Sequence, residues 1–209
     1  MRTPKQSSAI ADVSTETRIR TAARQLFVQK GFTATTTRDI AAAAGCNVAL
    51  VNYYYRSKQD LFATVMIEHL RAFMMGMRDM VNDTSTSLEQ KITSFVDAYI
   101  TMLQANPDLL IFILSEIRRD PEALATQVGM KPILFESVLL QQLKRRIGRR
   151  RIDPMQYFMT LMAMTVFPFI AQPLLQAASG VTDESFHAMM EQRRALIPLW
   201  MTTLLDAKG

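Results

Sequence analysis

Between Ala49 and Lys58 the chain sets out Ala49, Asn52, Tyr53, Tyr54, Arg56 and Lys58, a small residue followed by amide, phenolic and cationic groups. An amide can donate and accept on a base edge at once, a phenol can do either, and cations take phosphate oxygens. The rest of the sequence offers no nucleophile–base pair, no phosphate-cradling glycine loop and no pair of acids on one helical face. His69 and His187 lie far apart without a ligand-spaced partner, so neither a metal nor a cofactor is expected. The chemistry within reach is the reading of a polyanion, and an enzyme is not expected.

Side chains of this kind read a groove only when a scaffold holds them in it. The stretch 35–58, TTTRDIAAAAGCNVALVNYYYRSK, supplies one. Thr36 can cap a first helix, and Asp39, three residues on, completes a capping box and suits the positive helix end. Ile40, Ala41 and Ala44 share one face of that helix, and Gly45 closes it where a left-handed residue is needed. Asn47 can cap a second helix, with Val48 and Val51 inward and Ala49, Asn52 and Tyr53 outward. Ala41, Gly45 and Val51 fall four and then six residues apart. A small contact residue, a glycine turn and a branched apolar plug at that spacing let two helices cross steeply. This is the geometry of a helix-turn-helix whose second helix enters the major groove. Candidate DNA contacts are Thr36, Arg38, Asn47, Ala49, Asn52, Tyr53, Tyr54 and Lys58.

The distribution of charge agrees. Residues 1–60 hold nine cations against four acids, while the remaining 149 residues balance fifteen against fifteen, so the whole net charge of +5 sits in the segment with the helix-turn-helix. A phosphate-binding surface needs such an excess, and the affinity it gives falls steeply with salt. Apolar residues at 49%, with only 7 Gly and 8 Pro, exclude a disordered chain and point to helices. A single cysteine, Cys46, excludes an intrachain disulfide and fits a reducing cytoplasm. The polar first dozen residues carry no secretory signal.

From Thr17 to Leu61 the chain resembles the amino-terminal domain of the tetracycline-repressor (TetR) family of bacterial transcription regulators. TRIRTAARQLFVQKGF, TTTRDIAAAAG and VNYYYRSKQDLF carry the resemblance, in the family's order and spacing. It covers about a fifth of the chain. Tyr54 and Tyr55 depart from it, standing where His and Phe are most common. The resemblance implies a dimer on double-stranded DNA with a palindromic operator, and a carboxy-terminal domain whose occupation by a small molecule releases the DNA.

The expected fold is accordingly all-α with about nine helices. A three-helix DNA-binding domain spans 1–60, and a larger helical domain for ligand binding and dimerisation spans 61–209. Residues 1–13 read as a mobile arm, and a first helix over Thr15–Lys30 stops at Gly31. Ser57 and Asp60 cap a long fourth helix from Lys58 to about Val81. NDTSTS, 82–87, is a linker. Helices follow over Leu88–Ala105, Asp108–Arg119, a short one from Pro121, and Lys131–Arg146. Asp153–Ala178 is kinked or divided by Pro168 and Pro173, and Asp183–Asp206 is irregular at Pro198.

Three features invite other readings. The stretch between Asp153 and Asp183 lacks charge and is long enough to span a membrane. Its Gln and Thr residues and two prolines favour burial between partners, so no membrane is expected. KRRIGRRR, 144–151, reads as a solvated helix end favoured by the dipole. The 15 methionines read chiefly as packing, and thioethers also line cavities that take apolar guests.

By analogy with the family, Phe73, Met77, Phe95, Tyr99, Met102, Phe112, Met159, Met162 and Phe167 are candidates to line a pocket for a small apolar or aromatic effector. Phe169, Leu174, Leu196, Leu199, Trp200 and Thr203 are candidates for the homodimer interface, from a segment too apolar to face water. The expected function is a dimeric repressor. The alternative is an architectural DNA-binding protein controlled by a protein partner, with no small-molecule inducer.

Overall fold

The computed structural model describes residues 4–148 and 153–206, with side chains throughout except at 4–13, 134 and 135. Among these residues every element is a helix: α1 (Pro4–Ala34), α2 (Thr37–Ala43), α3 (Val48–Tyr54), α4 (Lys58–Asn82), α5 (Leu88–Ala105), α6 (Pro107–Arg119), α7 (Pro121–Gln127), α8 (Met130–Phe135), α9 (Val138–Ile147), α10 (Pro154–Ser179) and α11 (Asp183–Asp206). The chain forms two compact units, Met1–Leu70 and Arg71–Gly209, divided within α4.

The first unit is built on α1. Its backbone is helical from Pro4, not from Thr15; proline at a first-turn position favours the start, and nothing before Gly31 breaks the run. Residues 1–3, with Arg2, lie outside the described residues. Gly31 departs from helical geometry (φ 75°, ψ 169°), a conformation that needs glycine, and so ends the regular part where the sequence puts the stop. Ile19, Ala23 and Phe27 on α1, Ile40 and Ala41 on α2, Val51 on α3 and Leu61 on α4 are buried together. Each large aliphatic side chain taken fully from water contributes roughly 1.5–3 kcal/mol. Phe27, Phe32 and Phe62 stack around the α1–α4 contact, with centroids 4.7 to 6.0 Å apart.

In the second unit α5 is the central strut, packed on α6, α9, α10 and α11. Ile92, Phe95, Val96 and Ile100 meet Tyr157 and Leu161 of α10 and Ile197, Met201 and Leu205 of α11. Arg194 stitches α11 to α5, donating to the Asp97 carbonyl (2.8 Å) and carboxylate, Thr101 Oγ1 (3.0 Å) and Gln104 Oε1 (3.1 Å). Lys91 is almost fully buried, yet its ammonium is satisfied by the linker that the sequence marks at 82–87. It donates to the Asp83 and Thr86 carbonyls and to Thr86 Oγ1 at 2.5 to 2.8 Å.

Among the described residues there are eleven helices, against the nine or so expected. The expected helix over 131–146 is two, because Ser137 turns out to be an N-cap whose hydroxyl accepts from Leu140 N, opening α9. In the opposite sense, Pro168 and Pro173 do not divide α10. Proline at 168 cannot donate to the Met164 carbonyl one turn back. That carbonyl is satisfied instead by Arg193 of α11, whose Nη2 lies 2.9 Å and Nε 3.3 Å away. α10 is also long and apolar enough to cross a membrane by length and composition, and only 11% of its most apolar window is buried.

Candidate functional site

The turn between α2 and α3 is closed by local rules alone. Thr36 accepts from Asp39 N (3.1 Å) while its own amide donates to the Asp39 carboxylate (3.0 Å), the reciprocal box that the sequence suggests. These bonds from Thr36 hold the Asp39 carboxyl below its usual range. At the other end of α2, Cys46 N donates to Ala41 O (3.0 Å) and Gly45 N to Ala42 O (3.2 Å), a Schellman closure. Gly45 sits at φ 62°, and a β-carbon there would touch nothing within 4 Å, so conformation and not space demands the glycine. Asn47 then caps α3 through its side-chain oxygen, 2.9 Å from Leu50 N.

This positioning turns one face of α3 outward. Ala49, Leu50, Asn52 and Tyr53 are exposed, Tyr53 at 74%, while Val51 is buried at 1% and Val48 half-buried. Arg38 and Arg56 are exposed on either side of it. Tyr54 is half-buried and stacks edge-on against Tyr53 (5.2 Å). The protruding groups are an amide, a phenol and two guanidinium ions, a set that can donate and accept on base edges and pair with phosphates.

Besides Asn47, whose side-chain oxygen is taken up by the cap, two expected contacts are occupied by the protein itself. Lys58 donates to the carbonyls of Phe32 and Thr35, each at 2.9 Å, with the ammonium 4.2 Å from the centre of the Phe32 ring. It closes the segment between α1 and α2. Thr36 spends its hydroxyl on Asp39, accepting and donating (2.8 Å). A contact missed by sequence reasoning lies beneath α3. Tyr55 is buried and its hydroxyl donates to Glu16 (3.3 Å), while Arg20 pairs with Glu16 (3.5 Å) and Glu68 (3.2 Å). Burial first, and then the Glu16 charge, push the Tyr55 phenol up to about 12. This network ties the end of α3 to α1 and α4 with a neutral donor.

In the second unit, five of the nine candidate effector residues come together. Phe73 packs edge-on against Tyr99 (4.9 Å), Tyr99 lies 4.5 Å from Phe95, and Met77 and Met162 join them. Desolvation pushes the Tyr99 phenol up to about 12, and no hydrogen bond reaches its hydroxyl among the described residues. Beside Phe95 the packing leaves cavity space of only about 20 Å³. Met102 and Phe112 are buried outside this cluster. Met159 and Phe167, at 57% and 62% exposed, point away from it, because α10 turns that side outward.

Of the candidate interface residues, Leu174, Leu196, Leu199, Trp200 and Thr203 are exposed on α10 and α11. Phe169 instead packs on Phe186 of its own subunit (5.5 Å). Phe169 and Phe186 also line a cavity of about 500 Å³ between the α5–α6 corner and α10–α11, with Asp108, Asp183 and His187. None of the nine expected effector residues lines it. Its signal is dispersed over residues 103–187, each unremarkable in sequence. Of the basic cluster, Lys144, Arg145 and Arg146 end α9 and Arg146 pairs with Asp206; Arg149, Arg150 and Arg151 lie outside the described residues.

The family model of bacterial regulatory proteins, tetR family, matches residues 19–65. The "Probable HTH-type transcriptional regulator YttP" of Bacillus subtilis (strain 168) is 27% identical over 139 residues, 64% of this chain and 67% of that protein. The HTH-type transcriptional repressor KstR2 of Mycolicibacterium smegmatis is 27% identical over 97 residues, 46% of this chain and under half, 47%, of the relative. FadR of Bacillus subtilis, solved in complex with stearoyl-CoA, shares the fold with a TM-score of 0.56 at 15% identity, over 87% of this chain and 96% of that one.

Proposed function

We propose, from the premise that this chain belongs to the TetR family of bacterial transcription regulators, that it is a dimeric, cytoplasmic, sequence-specific repressor released from DNA by a small effector. The observation that carries this reading is the face of α3. Ala49, Asn52 and Tyr53 stand clear of their own subunit, on a helix fixed at both ends by Asn47 and Tyr55. A palindromic operator follows from pairing: two such helices engage successive major grooves when held roughly 34–36 Å apart.

Dimerisation supplies that spacing. Leu174, Leu199 and Leu204 are exposed at 71%, 60% and 42%, and the carboxy-terminal turns of α10 are largely uncovered in the single chain. Two-fold packing of α10 and α11 against their copies in a four-helix bundle buries this surface. The effector enters the second unit around Phe73, Phe95 and Tyr99. Its rings are in mutual contact, so an apolar or aromatic guest must part them, and a guest with one acceptor can take a hydrogen bond from the half-buried Tyr99. If the parted form holds the recognition helices at a different spacing, operator and effector weaken each other by the same factor.

The test begins with selection of duplexes from a random pool by the full-length chain at low salt. Enrichment of an inverted repeat, and its release by one member of a lipophilic library, is the expected result. Failure to enrich any sequence removes the repressor reading. A ligand that binds tightly and leaves operator affinity unchanged removes induction alone.

A further inference from the structure

A guanine in the major groove is most often read by a cation, arginine or lysine, bonded to its O6 and N7. The helix α3, VALVNYY, carries neither. Its exposed side chains are Ala49, Leu50, Asn52 and Tyr53, and Asn47 before it has given its side-chain oxygen to the Leu50 amide. The cations of the motif stand elsewhere. Arg38 is on α2, and in this kind of docking the first helix crosses the backbone. Arg56 follows the end of α3, whereas a recognition helix meets base edges with its amino-terminal residues. Lys58 is held by the Phe32 and Thr35 carbonyls. Charge in this head is placed for phosphates, and the reading falls to neutral groups.

Those neutral groups have a preference. In the first turn of α3, Ala49 and Leu50, the latter exposed at 36%, can neither donate nor accept through their side chains. The apolar feature that base pairs offer in the major groove is the C5-methyl of thymine. One turn further along stands Asn52, whose amide oxygen and nitrogen together match adenine N6 and N7.

We propose that α3 reads A·T pairs: Ala49 and Leu50 pack on thymine methyls, and Asn52 bonds an adenine one helical turn along. Leu50, absent from the expected DNA contacts, becomes a specificity residue. The inference rests on the repressor reading above and adds to it the base composition of the half-site beneath α3.

The test compares duplexes selected from a random pool by the full-length wild type, by Leu50→Ala and by Asn52→Ala. Both side chains are exposed, so both variants are expected to melt with the wild type. A pair whose preference relaxes in a variant lies under that residue. Every relaxed pair is expected to be A·T, with the preference at the Asn52 position falling from at least fivefold to under twofold. The second measurement replaces each thymine of the selected operator in turn by deoxyuridine. Under Leu50 this is expected to weaken the wild type about fourfold per half-site, the worth of one methyl group taken from water, and to leave Leu50→Ala unchanged. Failure to enrich any duplex removes the repressor reading itself. An enriched operator whose relaxed pairs are G·C, whose pairs relax in neither variant, or that tolerates uracil at every position overturns the A·T reading and leaves the repressor standing. Should either variant fail to fold, the uracil scan on the wild type decides.

Discussion

Lys58→Met separates two roles for one cation. As a phosphate contact, Lys58 would lower the slope of log affinity against log salt by about 0.9 per protomer, or about 1.8 for a dimer on its operator. The geometry says otherwise. The ammonium already serves the Phe32 and Thr35 carbonyls and the Phe32 ring, so methionine, with a similar stem, removes two charge-assisted bonds from the first unit. Such bonds contribute about 1.5–3 kcal/mol each at most. Because Lys58 is half-buried, water can replace part of the loss, and about 2 kcal/mol is expected. If the first unit melts as its own transition, that is about 8–16 °C for a domain of this size. The assay is anisotropy titration of a selected duplex at five salt concentrations, beside a thermal melt. Arg56→Ala is the control: Arg56 is exposed, and its loss should flatten the slope and leave the melt alone. A Lys58→Met protein with wild-type stability and a slope reduced by about 1.8 would refute the structural role.

Asn52→Ala with Tyr53→Ala should change stability by less than about 0.5 kcal/mol, since both side chains are exposed. Operator affinity should fall roughly a hundredfold or more, at about 1–3 kcal/mol per base contact; equal affinity would reassign the reading face. Leu199→Glu places a charge in the centre of the proposed bundle interface. Sedimentation should show a monomer at concentrations where the wild type is a dimer, with operator affinity lost in parallel. Lys91→Met should cost about 2–3 kcal/mol, less than its three bonds suggest, because the Thr86 carbonyl keeps Gln142 (2.9 Å) and the Asp83 carbonyl keeps Thr86 Oγ1 (3.2 Å). Differential scanning calorimetry checks this, and a variant as stable as wild type would mean the buried ammonium is replaceable by apolar packing.

Much of the first unit was legible because its determinants are local. Thr36 with Asp39, Gly45, and Asn47 with Leu50 are bonds between residues three to five apart, and each follows from one capping rule. The ends of α5 were equally plain, set by a Ser87–Gln90 box and by Pro107. Partners far along the chain were not legible. Pro168 was a reason to expect a kinked or divided helix, and the donor that takes up the Met164 carbonyl in the undivided one, Arg193, lies twenty-five residues later. The placement of Met159 and Phe167 failed for a related reason: a helix apolar all round gives periodicity no face to choose.

The same limit governs the site itself. Arg56 and Lys58 are two cations two residues apart, and Tyr54 and Tyr55 are adjacent phenols, so composition assigns each pair one role. Their backbone positions assign two. Tyr55 follows the last residue of α3 and turns inward to Glu16, while Tyr54 stays half-exposed against Tyr53. Lys58 begins α4 within reach of the orphan carbonyls left where Gly31 ends the regular part of α1. Arg56 lies in the connection between α3 and α4 and is left exposed. A side chain becomes available to DNA only after the fold has filled its own unmet acceptors, and in this head those acceptors are created by the helix ends that make the turn possible.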